Sequence, residues 1–168
     1  MPVTAANVIM GACSSFKLDG VELGGTDGGV TVEFKQTTQE LSCDQVIDAI
    51  DIKPTKNEYS IKTTLAEYTL QNLQLGWNQA NAPVVDAETG TTTLGIGVNY
   101  EIKSHTLEFV GPAPNGKTRT YTVNIAKQMS SGTTDIAKDK QSGIPVEFRC
   151  LPDMTQASGS EYGTYVDQ

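Results

Sequence analysis

Val30-Thr31-Val32-Glu33-Phe34-Lys35 alternates apolar and polar side chains without a break. In an extended strand, successive side chains point to opposite faces, so Val30, Val32 and Phe34 share one face and Thr31, Glu33 and Lys35 the other. The β-branched and aromatic residues suit a pleated surface buried on one side. The polar face is then solvated or meets a partner. The pattern extends pairing through Thr37 to Ser42.

The same alternation recurs on both sides of this stretch. Upstream, Phe16 and Leu18 alternate before turn signals at Asp19-Gly20 and Gly24-Gly25. Downstream, Tyr59, Ile61 and Thr63 predict another strand. The longest run is Leu94, Ile96, Val98, Tyr100 and Ile102, opposed by Gly95, Gly97, Asn99, Glu101 and Lys103. Leu107 and Phe109 lead to Pro112-Ala113-Pro114-Asn115-Gly116, and Tyr121, Val123 and Ile125 return, which predicts a hairpin around the Asn-Gly turn. Ile144, Val146, Phe148 and Cys150 predict a last strand closed by Pro152-Asp153.

One helix is expected. Thr64 with Glu67 fits a capping box. Ala66, Leu70, Leu73 and Trp77 fall on one stripe, which Leu65, Tyr68 and Leu75 widen, and Gly76 is its stop. Leu70, Leu73 and Trp77 are the expected core of this helix. Strands, one helix and more strands predict a mainly β fold, a two-sheet sandwich or barrel with one flanking α-helix.

Three connections are expected. Cys43–Asn57 mixes Val46, Ile47, Ile50 and Ile52 with Asp44, Asp48 and Asp51 and ends in the turn-rich Lys53-Pro54-Thr55-Lys56-Asn57. A connection of this length inside one domain is usually functional. Lys127–Gly143 is a polar loop. Thr155–Gln168, rich in Ser and Gly, is either unfolded or an arm that orders only on a neighbour. The expected organisation is one domain over residues 1–154 followed by an arm at 155–168.

The 168 residues suit one domain with a core of its own. Twelve Lys and Arg stand against 20 Asp and Glu, a net charge of −8, which disfavours binding to a phosphate backbone. No apolar run reaches the roughly 18 residues of a membrane span. Met1–Met10 lacks the basic start and apolar stretch of a signal peptide. Cys13, Cys43 and Cys150 form no CxxC pair and no zinc pattern with His105, so free thiols are expected.

No catalytic, cofactor or metal site emerges, and no enzyme is expected. His105 is the lone histidine and no nucleophile motif accompanies it. The Gly20–Gly29 run lacks a Gly-Lys-Ser/Thr ending and leads into a strand, so turns explain it better than a phosphate cradle. Asp44, Asp48 and Asp51 miss the spacing of a calcium loop. What remains is a polymer subunit or a binding module.

Four blocks then resemble one family, the phage tail tube (major tail) proteins. Gly20-Val21-Glu22-Leu23-Gly24-Gly25-Thr26-Asp27-Gly28-Gly29-Val30-Thr31-Val32 resembles its strand-turn-strand opening. Cys43-Asp44-Gln45 falls where that family often carries an acidic "Dq". Leu65-Ala66-Glu67-Tyr68-Thr69-Leu70-Gln71-Asn72-Leu73 is similar to its helix, and Ile144–Asp153 to its closing strand. The blocks keep family order from Met10 to Asp153, and Asn78–Gly90 matches none.

The resemblance implies a structural subunit of the virion's tail, made in the host cytoplasm. Hexameric rings would stack head to tail into a hollow tube through which viral DNA passes without specific binding. Implied partners are copies of the chain and other tail proteins (tape measure, tail tip, terminator), with no membrane. The inter-ring loop would be 43–57, with Asp44, Val46, Ile47, Asp48, Ile50, Asp51 and Ile52, and the arms 1–8 and 155–168. Glu33, Glu40 and Glu101 are the expected lumen groups of an acidic or neutral, non-adhesive wall. Alternatives are the tube of a contractile injection or secretion machine, and a soluble β-sandwich adhesin.

Overall fold

The computed structural model describes residues 4–129 and 132–168. Among these the chain forms β1 (Ser15–Leu18), β2 (Val21–Glu22), β3 (Thr26–Leu41), β4 (Asp51–Leu65) and the helix α1 (Leu70–Gly76). β5 (Val84–Val85) and β6 (Thr92–Thr93) make a small separate hairpin. β7 (Ser104–Pro112), β8 (Thr118–Gln128), β9 (Ile144–Leu151) and β10 (Gly163–Asp167) complete the main sheet.

The main sheet is antiparallel, in the order β2-β1-β7-β8-β9-β4-β3. β8 gives one side to β7 and divides the other. Its Arg119–Val123 part pairs with β10, and its Ile125–Gln128 part with β9. The sheet folds over at this strand, and its halves face each other as a sandwich. Phe16 of β1 and Phe148 of β9 lie 6.3 Å apart between ring centroids. Three strand spacings in a flat sheet would be roughly 14 Å. The expected mainly β architecture with one flanking helix is therefore present, its two layers made from one continuous sheet.

The core lies between the layers. Phe16, Leu107, Phe109 and Val123 come from one side, and Ile61, Leu65, Ile144, Val146 and Phe148 from the other. Burying each such side chain stabilises the fold by about 1.5–3 kcal/mol before entropy is counted. The Asn-Gly turn joins β7 and β8 as expected, with φ of 60° at Asn115 and 73° at Gly116. Gly28 and Gly29, both at positive φ, form a bulge that shifts the register of β3 on β4 between Asp27 and Val30.

The helix is shorter than its stripe predicts. Thr64, the expected cap, lies in β4 opposite Pro145, because the alternation of Ile61, Thr63 and Leu65 continues the ladder with β9. Thr69 caps instead, its hydroxyl accepting the Asn72 N–H at 3.1 Å. Leu73 is buried, and Leu70 and Trp77 pack half-buried against the core. Gly76 brings α1 close to β9, since a Cβ there would sit 2.3 Å from Ile144 Cγ2. The buried Gln128 amide donates to the Gly76 carbonyl at 2.8 Å.

Three further expectations are corrected. Residues 94–103 form no strand, because nothing among the described residues pairs with them. The 43–57 connection is a loop only to residue 50; Asp51–Asn57 belongs to β4. Pro54 sits there opposite Thr38, on a stretch whose other edge carries no strand and so requires no donor. The C-terminal arm orders on its own chain, as β10 on β8, with Arg119 and Asp167 paired at 2.5 and 2.8 Å. Of the N-terminal arm, residues 1–3 lie outside the described residues, and Thr4–Val8 is exposed around a short 3-10 turn.

Candidate assembly surfaces

The first surface is a ribbon. β9 pairs with β4 only over Tyr59–Leu65. Beyond it, among the described residues, 35–41 and 51–58 pair only with each other. A two-stranded hairpin is at best marginally stable by itself in water. This one also exposes apolar groups along its length and at its tip. Phe34, Leu41, Val46, Ile50 and Ile52 are exposed, and Ile47 is entirely so. Asp48 and Asp51 each accept the next residue's N–H at 2.8 Å, so their carboxylates hold loop backbone. All seven residues expected in the inter-ring loop thus sit on the distal ribbon.

The second surface is the polar face of β3, β4, β9 and the end of β8. Register places Glu33, Lys35, Lys56, Glu58, Lys62, Lys127, Glu147 and Arg149 on it. Lys62 Nζ lies 3.3 Å from Glu33 and 3.4 Å from Glu147, and these carboxylates raise its pKa. Glu58 meets Lys56 at 2.6 Å and Arg149 at 3.2 Å. Such exposed pairs add little stability. They do neutralise charge in place, and the face carries more bases than acids although the chain is acidic overall.

The expected lumen groups are therefore not one set. Glu33 lies on the polar face. Glu40, seven residues further along β3, falls on the opposite face of the ribbon. Glu101 lies in the unpaired 94–103 segment, its N–H donated to Asn99 Oδ1 at 3.1 Å.

The third surface is a groove that sequence reasoning missed. The sheet folds over but does not close. Between β3 and the chain's last segment lies an open cleft of about 620 Å³, lined by Val32, Phe34, Tyr59, Tyr162 and Tyr165 among others. It continues past Val32 toward Gly28, against Ile9, Cys13, Pro112 and Tyr121. Tyr59 packs edge-on to Tyr162 at 5.8 Å, and its hydroxyl contacts that of Tyr165. Phe34 and Val32, read as a buried strand face, were the available signal, for here they remain partly open to solvent.

His105 has a structural role. Its Nδ1 lies 2.7 Å from Asp19 Oδ2, while the Thr106 N–H donates to Asp19 Oδ1 at 2.8 Å. Burial works against ionisation of Asp19, but these hydrogen bonds hold its carboxyl below the usual range. The pair ties the β1–β2 turn to β7. Among the described residues no group of three His, Cys, Asp or Glu side chains is placed to hold a metal ion. No helix there is long and apolar enough to cross a membrane.

No protein-family model matches the chain, and no curated protein matches it.

Proposed function

We propose that the chain is a structural subunit of a bacteriophage tail tube, whose copies form hexameric rings stacked into a hollow conduit for viral DNA. The observation that carries this reading is the ribbon. A two-stranded projection with Ile47, Ile50 and Ile52 exposed makes physical sense when a neighbouring copy covers it. Three of the four family-like sequence blocks fall on elements that shape the subunit, namely the β1–β3 turns, the β4–α1 junction and β9. The fourth, Cys43-Asp44-Gln45, falls at the tip of the ribbon.

On this reading the polar face of β3, β4, β9 and β8 turns toward the channel. Two unit charges about 4 Å apart attract by roughly 1 kcal/mol in water, and a repeating ring multiplies each attraction. Lys56, Lys62 and Arg149 are already neighboured by carboxylates. Phosphates passing them displace few counterions and gain little. Internal pairing of these three bases limits adhesion to the wall, whose lining the resemblance implies to be acidic or neutral. The tape measure, tail tip and terminator proteins are the partners at the ends of such a tube.

Negative-stain microscopy of the purified full-length chain tests the proposal. Rings or hollow tubes are the expected result. A monomer that persists at high concentration and binds a glycan overturns it in favour of an adhesin.

A further inference from the structure

Residues 95–102 take part in no backbone–backbone hydrogen bond among the described residues. They nevertheless belong to the longest alternating run of the chain, and Ile96, Val98 and Tyr100 are 69%, 76% and 95% exposed. Side chains hold the segment near the exit of α1. Gly97 donates its N–H to Gln79 Oε1 at 2.9 Å, Asn99 Nδ2 to the Asn78 carbonyl at 2.7 Å, and Lys103 Nζ to the Ala80 carbonyl at 3.2 Å. A sequence patterned as a half-buried strand is thus presented without a ladder.

β3 offers the complementary feature. Among the described residues it is the last strand of the main sheet, paired with β4 on one edge and with nothing on the other. That open edge runs beside the groove, with Val32 and Phe34 on the groove side and Thr31, Glu33 and Lys35 on the polar side. No groove-lining residue comes from 78–103, so the chain does not cover its own groove with this segment.

We infer that residues 94–102 of one copy add as a strand to the open edge of β3 in a second copy. The two-faced patterns match. With Ile96, Val98 and Tyr100 turned over Val32, Phe34 and Tyr59, the alternate residues Gly97, Asn99 and Glu101 fall on the polar face. There Glu101 meets Lys35 and Lys62, which are of opposite sign. The open edge of β3 and the ladder-free backbone of 95–102 then bond to each other. Donor and acceptor are different surfaces of every copy, so the contact is head-to-tail and propagates into a ring or filament. The inference rests on the self-assembly proposed above and supplies a side-to-side contact separate from the ribbon tip.

The test uses the full-length chain and two variants at exposed positions. Ile96→Asp with Val98→Asp disables the donor, and Phe34→Lys disables the acceptor. Each is expected to fold with unchanged circular dichroism. Each should raise the concentration for half-assembly by about tenfold or more, as loss of a central apolar contact does. Mixed together they should form one-to-one complexes, because one retains the donor and the other the acceptor. In assembled wild-type protein, amides of 95–102 should exchange markedly more slowly than in the monomer. Should wild type assemble and both variants assemble equally well, the inference falls while self-assembly stands. Unprotected 95–102 amides in the wild-type assembly overturn it independently of how the variants fold. A wild type that stays monomeric at every concentration overturns both.

Discussion

Tyr59 of β4 and Tyr165 of β10 touch through their hydroxyls, joining the two layers where no ladder links them. Tyr165 also packs edge-on against Tyr121 at 4.5 Å, and Tyr121 stacks on Phe109 at 4.4 Å. The last strand is thereby tied to the core as well as to β8. Tyr165→Phe keeps the ring and removes the hydroxyl, and should cost about 0.5–1.5 kcal/mol in urea unfolding. In the Tyr59→Phe background the same change should cost less. Equal costs in both backgrounds would show that the contact does not couple the layers.

Gly76 and Ile144 give a steric prediction. Ile144 is β-branched and fully buried, so it moves aside poorly for a new methyl group 2.3 Å away. Gly76→Ala should destabilise the chain by about 1–3 kcal/mol. Ile144→Ala removes the clashing carbon, and in the Gly76→Ala background its own cost should shrink. A thermal-melt cycle measures this non-additivity, and strictly additive costs would refute close packing of α1 on β9.

The ribbon tip should matter to assembly and not to folding. Ile47→Asp with Ile50→Asp alters exposed groups outside the core, so unfolding free energy should stay within about 0.5 kcal/mol of wild type. Tube formation seen by microscopy should be lost. Intact tubes from this variant would remove the tip from the stacking contact.

The thiols predict both reactivity and pH dependence. Burial pushes Cys150 up to about 12, with Arg149 opposing slightly, and burial also raises Cys13. At pH 8 a thiol reagent should label Cys43 of the tip loop first, Cys13 more slowly and Cys150 only after unfolding. Cys150 has a folded pKa above its unfolded value of 9.0, so its contribution to stability is complete below pH 9. It is lost as pH rises from 9 toward 12. Tyr59, raised by burial and then by the Tyr165 hydroxyl, acts in the same direction from its ordinary value of 10.0 upward. Urea midpoints should therefore fall steadily across the alkaline range, and a flat alkaline profile would contradict the burial of both groups.

The architecture was legible wherever alternation met a partner within the chain. Phe16, Ile61, Phe109 and Phe148 were assigned to strands and face the core as their patterns required. Residues 94–102 failed for the opposite reason. Alternation reports what a strand would bury and says nothing of whether a partner edge is in reach. The capping box at Thr64 was overruled by the ladder with β9, a non-local contact invisible to local spacing. β10 was missed because Gly163–Asp167 is short and its anchors, Tyr121 and Arg119, lie more than 40 residues away. The groove arises from how the sheet folds at β8, and no window of sequence encodes it.

The division of β8 between β9 and β10 gives the subunit a direction of mechanical strength. Hydrogen bonds of an antiparallel ladder run perpendicular to the strands. Load along β8 is shared in shear by ladders on both of its sides, so many bonds must yield together. Load that pulls β3 sideways from β4 on the ribbon meets one pair at a time and unzips it. The subunit is therefore stiff under tension along β8 and compliant at its ribbon, which yields first.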